Sequence, residues 1–236
     1  MGVFDLHLHS KYSADAVSQP SQIVKKALSA GLAGFAITDH NTAASFKEFK
    51  KLKKELANPK NNPKKSKNSN SEFLIIFGEE VKIVEDGKAR GEILCYFLSE
   101  KINPGSMGEI LDWCRQQDAL TSIAHPFDIY RKPFRKNLEA EYKKVNAVEA
   151  WNGRSYQKKF NLQSAEFVKA KDFPLTAGSD SHSISEIRKI GFECGAASEE
   201  ELRKAILKKK GTVCAGSPTF APWQWAVSAG GRILPK

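Results

Sequence analysis

The sequence has few cysteines and no long apolar run, and each shortage argues against a class of protein. Its four cysteines are spread over 236 residues without a Cys-x-x-Cys pair, so a disulfide framework is a poor explanation for them. No stretch approaches the roughly 18 consecutive apolar residues that a membrane span needs. The chain opens on a strand pattern, without the basic flank and apolar run of a secretory leader. We therefore expect a cytoplasmic protein with reduced core thiols and no membrane partner.

The bulk composition is that of an ordinary globular chain, with 41% hydrophobic and 27% charged residues. The length suits one domain of barrel size. We predict a single barrel domain over residues 1–236. Within it we expect a lysine- and asparagine-rich insertion at about 57–71 and an irregular aromatic tail at about 215–236.

The formal net charge is +10, and much of it is local. Residues 47–67 contain nine lysines and two glutamates. Positive charge attracts phosphates and nucleic acids over a distance but carries no information about the fold. A solvated insertion and a nucleic-acid-contacting arm both remain open for this stretch.

The first predicted strand, residues 3–9, reads Val-Phe-Asp-Leu-His-Leu-His. Successive strand side chains point to opposite faces, which predicts that Asp5, His7 and His9 share one face. Two imidazoles at this spacing can ligate one metal cluster. Asp5 is expected to accept a hydrogen bond from the second nitrogen of a ligand. The alternative is an amphipathic strand with two exposed histidines.

Strand and helix patterns alternate along the rest of the chain. Further strands are predicted at 34–38, 73–77, 81–84, 92–98, 120–124, 147–151, 175–177 and 212–214. Helices are predicted at 21–30, 42–56, 106–117, 156–171 and 199–209, with Ser18 capping the first and a helical stretch near Leu138. Such alternation favours a mostly parallel α/β sheet, either open and doubly wound or closed into a barrel. Metal-ligand residue types end almost every strand, and in a barrel all those ends ring one mouth, so we favour the barrel.

All five histidines lie at predicted strand ends or just past them. They are His7, His9, His40, His125 and His182. A scattered set would have placed one or two on helices or in the lysine-rich stretch. Together with the acidic residues at other strand ends, the pattern predicts metal binding, and imidazole and carboxylate ligands without cysteine argue against a purely structural zinc site.

Five short motifs now stand in order along the chain: His7-x-His9, Thr38-Asp39-His40, Gly78-Glu79-Glu80, His125-Pro126 and Ser179-Asp180-Ser181-His182. This set resembles that of the PHP (polymerase and histidinol phosphatase) superfamily, most closely its small stand-alone metal-dependent phosphoesterases. The resemblance implies an α/β fold, a distorted (β/α)7 TIM-like barrel. It also implies two or three divalent metal ions (zinc, manganese or iron) at the C-terminal mouth.

The resemblance further implies a ligand set, namely His7, His9, His40, Glu80, His125, Asp180 and His182. Two more positions fit the family less directly. Asp15 falls one residue later than the usual aspartate after the His-x-His motif. Glu92 stands where many relatives have a histidine, and a salt bridge to Arg90 is its alternative role.

Ions of this kind lower the pKa of bound water to about 7, so a metal-bridging hydroxide is expected to attack phosphorus, and no nucleophilic side chain is needed. His182, or Asp39 beside His40, is the candidate for catalytic proton transfer to the leaving oxygen, with a ligand or supporting role as the alternative. Arg131 and Arg154 are the candidates for binding substrate phosphate, and the alternative is that both are solvated surface residues.

The sequence therefore predicts metal-dependent hydrolysis of a phosphoester. The partner would be a small phosphorylated metabolite, a nucleotide or a short oligonucleotide. A nucleic-acid-associated barrel subunit related to an RNase P protein component, without its own hydrolysis, is the alternative. A third reading, carbon–nitrogen hydrolysis in an amidohydrolase-like barrel, lacks the expected barrel lysine motif.

Overall fold

The computed structural model describes residues 1–58, 72–131 and 134–215. The described strands are β1 Gly2–Leu8, β2 Gly34–His40, β3 Leu74–Glu85, β4 Lys88–Tyr96, β5 Leu120–Ile123, β6 Ala147–Asn152, β7 Leu175–Gly178, β8 Gly191–Cys194 and β9 Gly211–Cys214. The helices are α1 Pro20–Ser29, α2 Phe46–Ala57, α3 Met107–Gln116, α4 Arg135–Glu141, α5 Lys158–Ala170 and α6 Glu199–Leu207, with 3-10 turns at Ile129–Arg131 and Tyr142–Lys144. The predicted insertion and aromatic tail lie almost wholly outside the described residues.

The strands form one sheet in the order β7-β6-β5-β4-β3-β2-β1-β8-β9. Neighbours are parallel at β1–β2, β2–β3, β5–β6 and β6–β7, and antiparallel at the other four junctions. The expectation of a mostly parallel sheet was therefore wrong, and the sheet is mixed. The reason is the hairpin that joins β3 to β4, because it reverses β4 relative to both of its neighbours.

Strands β1 to β7 curl into a nearly closed barrel. Its seam lies between β1 and the segment that follows β7. The amide of Asp180 donates to the carbonyl of His7 at 2.7 Å, and the amide of His9 donates to the carbonyl of Ser181 at 3.0 Å. Gly178 makes this approach feasible, since a Cβ there would lie 2.4 Å from the backbone nitrogen of His7. The predicted distorted seven-stranded barrel is confirmed, and β8 and β9 extend the sheet beyond it.

A β-bulge interrupts β1 between Asp5 and Leu8, at the first of its two histidines. Between the pairs Asp5–Phe35 and Leu8–Ile37, β1 has one residue more than β2. Below the bulge Phe4 packs in the apolar cluster that fills the barrel, whereas Leu8 packs in the separate cluster beneath the helices. The strict alternation predicted for this strand was therefore wrong, and the extra residue turns the histidine pair towards the barrel mouth.

Strand β3 is longer than its sequence pattern indicates. Two strands were predicted on either side of Gly78-Glu79-Glu80, but β3 runs unbroken through them, and Glu79 and Glu80 pair with Asp39 and His40 of β2. Both carboxylates are fully buried on opposite faces of the strand. Glu80 faces the histidines, while Glu79 accepts a hydrogen bond from the amide of Ile102 at 3.1 Å.

Two local predictions also need correction. Helix α1 begins with a capping box between Gln19 and Gln22, with Pro20 in its first position, so Ser18 is not its cap. Strand β8 was not predicted at all. It is only four residues long and pairs antiparallel with the start of β1.

Candidate metal centre

The five histidines, which are far apart in the sequence, meet at the barrel mouth. The rings of His9 and His40 stack with centroids 4.3 Å apart, and the ring of His182 lies 4.3 Å from that of His9. The ring of His125 stacks on that of His7 at 5.9 Å. The convergence that the sequence predicts is therefore present in the structure.

Glu80 lies at the centre of these rings. One of its oxygens, Oε1, lies 2.9 Å from His125 Nε2, and Oε2 lies 3.0 Å from His40 Nδ1. The same Oε2 is 3.3 Å from His7 Nε2 and 3.4 Å from His9 Nε2. Four imidazoles thus surround one carboxylate, and these groups together would be available to hold divalent ions.

Three groups of side chains have ligand atoms within 4.8 Å of one another, counted over the described part of the chain. The groups are His9, His40 and His182; His7, His9 and Asp180; and His40, Glu80 and Glu92. They share members, so they form one cluster with three overlapping centres. This geometry fits two or three ions.

The two positions that fit the family less directly also reach this cluster. Asp15 Oδ2 lies 3.2 Å from His182 Nε2 and 3.5 Å from His40 Nε2. Glu92 Oε2 lies 3.6 Å from His125 Nε2. Glu92 therefore faces the histidines rather than Arg90, which lies near Glu85 and Asp86 on the hairpin.

Glu149, on β6, contacts two of the clustered histidines, His7 and His125. Its Oε1 lies 2.9 Å from His7 Nδ1, and its Oε2 accepts hydrogen bonds from the amide of His125 at 2.7 Å and from the side chain of Asn152 at 3.2 Å. Asn152 also donates to Asp180 Oδ2 at 3.0 Å. A carboxylate on Nδ1 fixes the ring and leaves Nε2 free to bind an ion, so Glu149 would orient His7 as a ligand.

The structure does not support the proposed catalytic role of Asp39, whose carboxylate is fully buried beneath the loop that follows β1. It accepts hydrogen bonds from the amide and hydroxyl of Ser10 and from the hydroxyl of Ser13. Ser13 Oγ in turn lies 3.2 Å from His9 Nδ1. Oδ1 of Asp39 thus holds Ser13 against His9, while Oδ2 holds the hydroxyl of Ser10, and these are the contacts of a positioning residue.

Asp5 was expected to orient a ligand ring, and that expectation was wrong. Its oxygens accept hydrogen bonds from the amide and hydroxyl of Ser179 and from the amide of His7. Because the bulge lies after Asp5, this side chain points away from the rings. It fixes instead the loop that carries Asp180.

The two candidate arginines both lie at the mouth, and both contact carboxylates. Arg131 Nη1 donates to Asp180 Oδ2. Arg154 is buried, with its Nε 3.8 Å from Glu186 Oε1. Neither is a solvated surface residue, so that alternative was wrong. Their contact with substrate phosphate stays a prediction.

Histidine charge in this pocket is set by burial and by the neighbouring carboxylates. Burial lowers the pKa of His9 well below its usual range, and His40 and His182 lower it further. Burial alone would also lower the pKa of His7, but Glu80 and Glu149 raise it to about 10. The pKa of His40 rises to about 10 against its burial, because of Glu80 and Asp15. Burial lowers the pKa of His182 to about 4.

Several polar atoms in the pocket have no hydrogen-bond partner within the described ranges. They include His125 Nδ1, Asp180 Oδ1 and Asp15 Oδ1, all buried. Asp180 Oδ1 is directed at His9 Nε2, 3.3 Å away, and the Nε2 atoms of His7 and His9 are only 3.1 Å apart. Orphaned buried oxygens facing imidazole nitrogens fit divalent cations, which would satisfy both.

Two supporting residues escaped the sequence analysis. Ser13 orients His9, and Glu186 accepts hydrogen bonds from the amides of His182 and Ser183, both at 2.8 Å. The only local signal for Ser13 is its position four residues after His9. Glu186, at the same spacing after His182, gives an equally weak signal.

In the ranges that the structure describes, no helix is both long and apolar enough to cross a membrane.

In a nearly closed α/β barrel, side chains from the ends of several strands meet at one mouth, and here imidazoles and carboxylates meet there. The PHP domain family matches residues 5–172, and a family described as PHP-associated matches residues 158–210. The chain therefore belongs to the PHP domain family, and the resemblance seen in the sequence is confirmed.

Three similar proteins place the chain among its relatives. An uncharacterized protein of Methanocaldococcus jannaschii is 33% identical over 134 residues, which are 52% of this chain and 67% of that protein. A two-domain protein of Bacteroides vulgatus, containing a predicted PHP-like metal-dependent phosphoesterase, has 18% identity and a TM-score of 0.68 over 90% of this chain. A lesion-specific endonuclease of Pyrococcus furiosus has 20% identity and a TM-score of 0.59 over 90% of this chain. This chain spans 64% and 57% of those two structures, which at such identities show the shared fold.

Proposed function

We propose that this protein hydrolyses a phosphoester with two or three divalent ions held by its histidine and carboxylate cluster. The proposed ligands are His7, His9, Asp15, His40, Glu80, Glu92, His125, Asp180 and His182. The observation that carries the proposal is the convergence of these groups on one pocket, with buried oxygens that have no hydrogen-bond partner among the described residues. Similarity to a phosphoesterase and to an endonuclease supports the choice of bond.

Such ions, when bound, lower the pKa of a coordinated water towards 7 and neutralise phosphate oxygens. The residues of the chain itself hold the proposed metal ligands in position. Glu149 fixes His7, and Ser13, held by Asp39, fixes His9. His182 directs Nδ1 at the carbonyl of Asp180, 2.9 Å away, which leaves Nε2 facing the pocket. A ring whose pKa is about 4 is neutral at pH 7, so His182 fits a ligand or proton acceptor better than a proton donor.

The proposed substrates are a small phosphorylated metabolite, a nucleotide or a short oligonucleotide. Arg131 and Arg154 lie at the rim and would contact the phosphate once it displaces part of their present pairing. Zinc, manganese and iron all suit mixed imidazole and carboxylate ligands. A cytoplasmic location is the matching proposal for an enzyme acting on such substrates.

The test combines elemental analysis with a phosphoester panel. Protein purified without chelator should carry divalent ions and should hydrolyse p-nitrophenyl phosphate or bis(p-nitrophenyl) phosphate with manganese or zinc added. Asp180→Ala should lose ions and turnover together. Asp112→Ala is the matched control, because Asp112 is exposed on α3 and pairs only locally with Arg115. No turnover of either ester by fully loaded protein would refute the proposal.

The alternative, a nucleic-acid-associated barrel subunit without hydrolysis, rests on the net charge of +10. The complete ligand cluster argues against it, since a purely binding barrel has no need for one. Steeply salt-dependent RNA binding by metal-loaded protein that turns over no phosphoester would favour this alternative.

A further inference from the structure

A basic groove lies on the outer side of the barrel, between α2 and the segment that follows β4. Its volume is about 620 Å³. Exposed lysines of α2 form one wall, and Ser99 and Glu100 form the other. The wall lysines are Lys47, Lys50, Lys51 and Lys54. None of them belongs to the candidate metal centre.

The lysines recur at intervals of three and four residues, so they share one face of the helix. The stripe from Lys47 to Lys54 is about 10 Å long at the α-helical rise. Lys51 lies 4.0 Å from Glu55, and Lys50 lies over the ring of Phe77. Among the described residues, no carboxylate lies within 4 Å of the ammonium groups of Lys47, Lys50 or Lys54. Three neighbouring cations are thus available to an anionic partner.

The groove shape narrows the choice of that partner. A membrane surface would favour large exposed apolar side chains, but the apolar residues that line this groove are Ala43, Ala44 and Phe46, and Phe46 is buried. A groove of about 620 Å³ with lysines along one wall fits the backbone of a single nucleic-acid strand, whose phosphates would face the lysines. Phosphate contacts of this kind position a strand without reading its sequence.

One residue that lines the groove, Ala43, comes three residues after His40, a proposed ligand. Three residues of chain span at most about 10 Å, so this part of the groove lies near the mouth of the barrel. The intervening Asn41 is fixed at the rim, since its amide donates to the carbonyl of Glu80 at 2.9 Å and its side chain accepts from the amide of Lys82 at 2.8 Å. A single strand of nucleic acid with one phosphodiester at the metal centre could therefore pass over Asn41 and reach the lysines of α2.

We propose that the α2 groove binds the backbone of single-stranded nucleic acid, namely the part of the strand that extends away from the metal centre. The link to the metal centre rests on the proposed phosphoesterase function, but binding in the groove does not. The substrate class would then include strands of several nucleotides, because a mononucleotide cannot reach both places.

Fluorescence anisotropy with a fluorescein-labelled single-stranded 20-mer, in EDTA to prevent cleavage, tests the groove directly. The triple variant Lys47→Gln, Lys50→Gln, Lys54→Gln removes three positive charges from the stripe. The matched control removes three exposed lysines elsewhere: Lys169→Gln, Lys208→Gln, Lys210→Gln. Losing three phosphate contacts should reduce the magnitude of the slope of log association constant against log salt concentration by about 2. It should also weaken binding at least about tenfold at low salt.

The control variant should keep the wild-type affinity within about twofold, and both variants should hydrolyse a small chromogenic ester at the wild-type rate. Equal weakening in the two variants would show bulk charge rather than a groove and would overturn the proposal. So would the absence of strand binding at low salt, or tighter binding to phosphatidylserine vesicles or polyglutamate. Loss of ester turnover in all proteins, with strand binding intact, would refute the phosphoesterase and leave the groove standing.

Discussion

Replacing Gly178 by alanine should open the seam of the barrel. The new Cβ would lie 2.4 Å from both the backbone nitrogen and the Cβ of His7, whereas ordinary contacts begin at 3.4 Å. Strand β7 must therefore retreat from β1 by about 1 Å, and it would carry Ser179 and Asp180 with it. Overpacking of this kind costs about 1–3 kcal/mol. For a chain of this length, that lowers Tm by roughly 2–12 °C.

The displacement reaches the metal centre, because the seam residues His7 and Asp180 are proposed ligands. A misplacement of about 1 Å can cost on the order of 100-fold in activity. Tm should be measured in chelator, so that it reports the barrel alone, and zinc affinity by titration calorimetry. Gly108→Ala is the matched control, since nothing lies within 4 Å of a Cβ there and α3 should gain slightly in stability. Wild-type Tm and zinc affinity in Gly178→Ala would refute the reasoning.

Three further predictions concern the ions themselves. His7→Ala should lose bound metal and activity together while far-ultraviolet circular dichroism stays that of the folded barrel; unchanged metal content would contradict its assignment. Glu149→Gln should weaken metal binding by about 10–100-fold, because the amide no longer holds His7 Nδ1 as strongly; an unaltered calorimetric affinity would show that this contact is dispensable. Chelation should destabilise the wild type, relative to protein at 100 times the metal Kd, by about 2.7 kcal/mol for each independently bound ion, or roughly 5–11 °C in Tm per ion; equal melting curves with and without chelator would count against ions bound to the native state.

The barrel and most of its pocket could be predicted because the informative residues repeat a pattern. Histidines or acids close nearly every strand, and in a barrel such positions meet regardless of sequence distance. Position along each strand was therefore enough to predict that His40, His125 and His182 would converge. It was not enough to predict which side chain supports which ring.

Those supporting contacts depend on register and on distant loops. Asp5 was assigned to the histidines by alternation, but a bulge that leaves no clear sequence signal placed it against Ser179 instead. Asp39 was assigned to catalysis by its place beside His40, yet its partners come from the loop after β1. The paired charges of Glu79 and Glu80 resemble a strand end, and only the tertiary structure shows that each has a buried partner.

One carboxylate, that of Glu80, lies within 3.4 Å of four imidazoles. Replacing one histidine at a time will change the free energy of unfolding partly through its contact with Glu80. Because all four histidines share that contact, the four single changes will sum to more than the effect of removing the four rings together. Proton release from the cluster will likewise belong to the group rather than to any single ring. Redesigning this pocket for another ion consequently means exchanging the central acid and its surrounding rings as one unit.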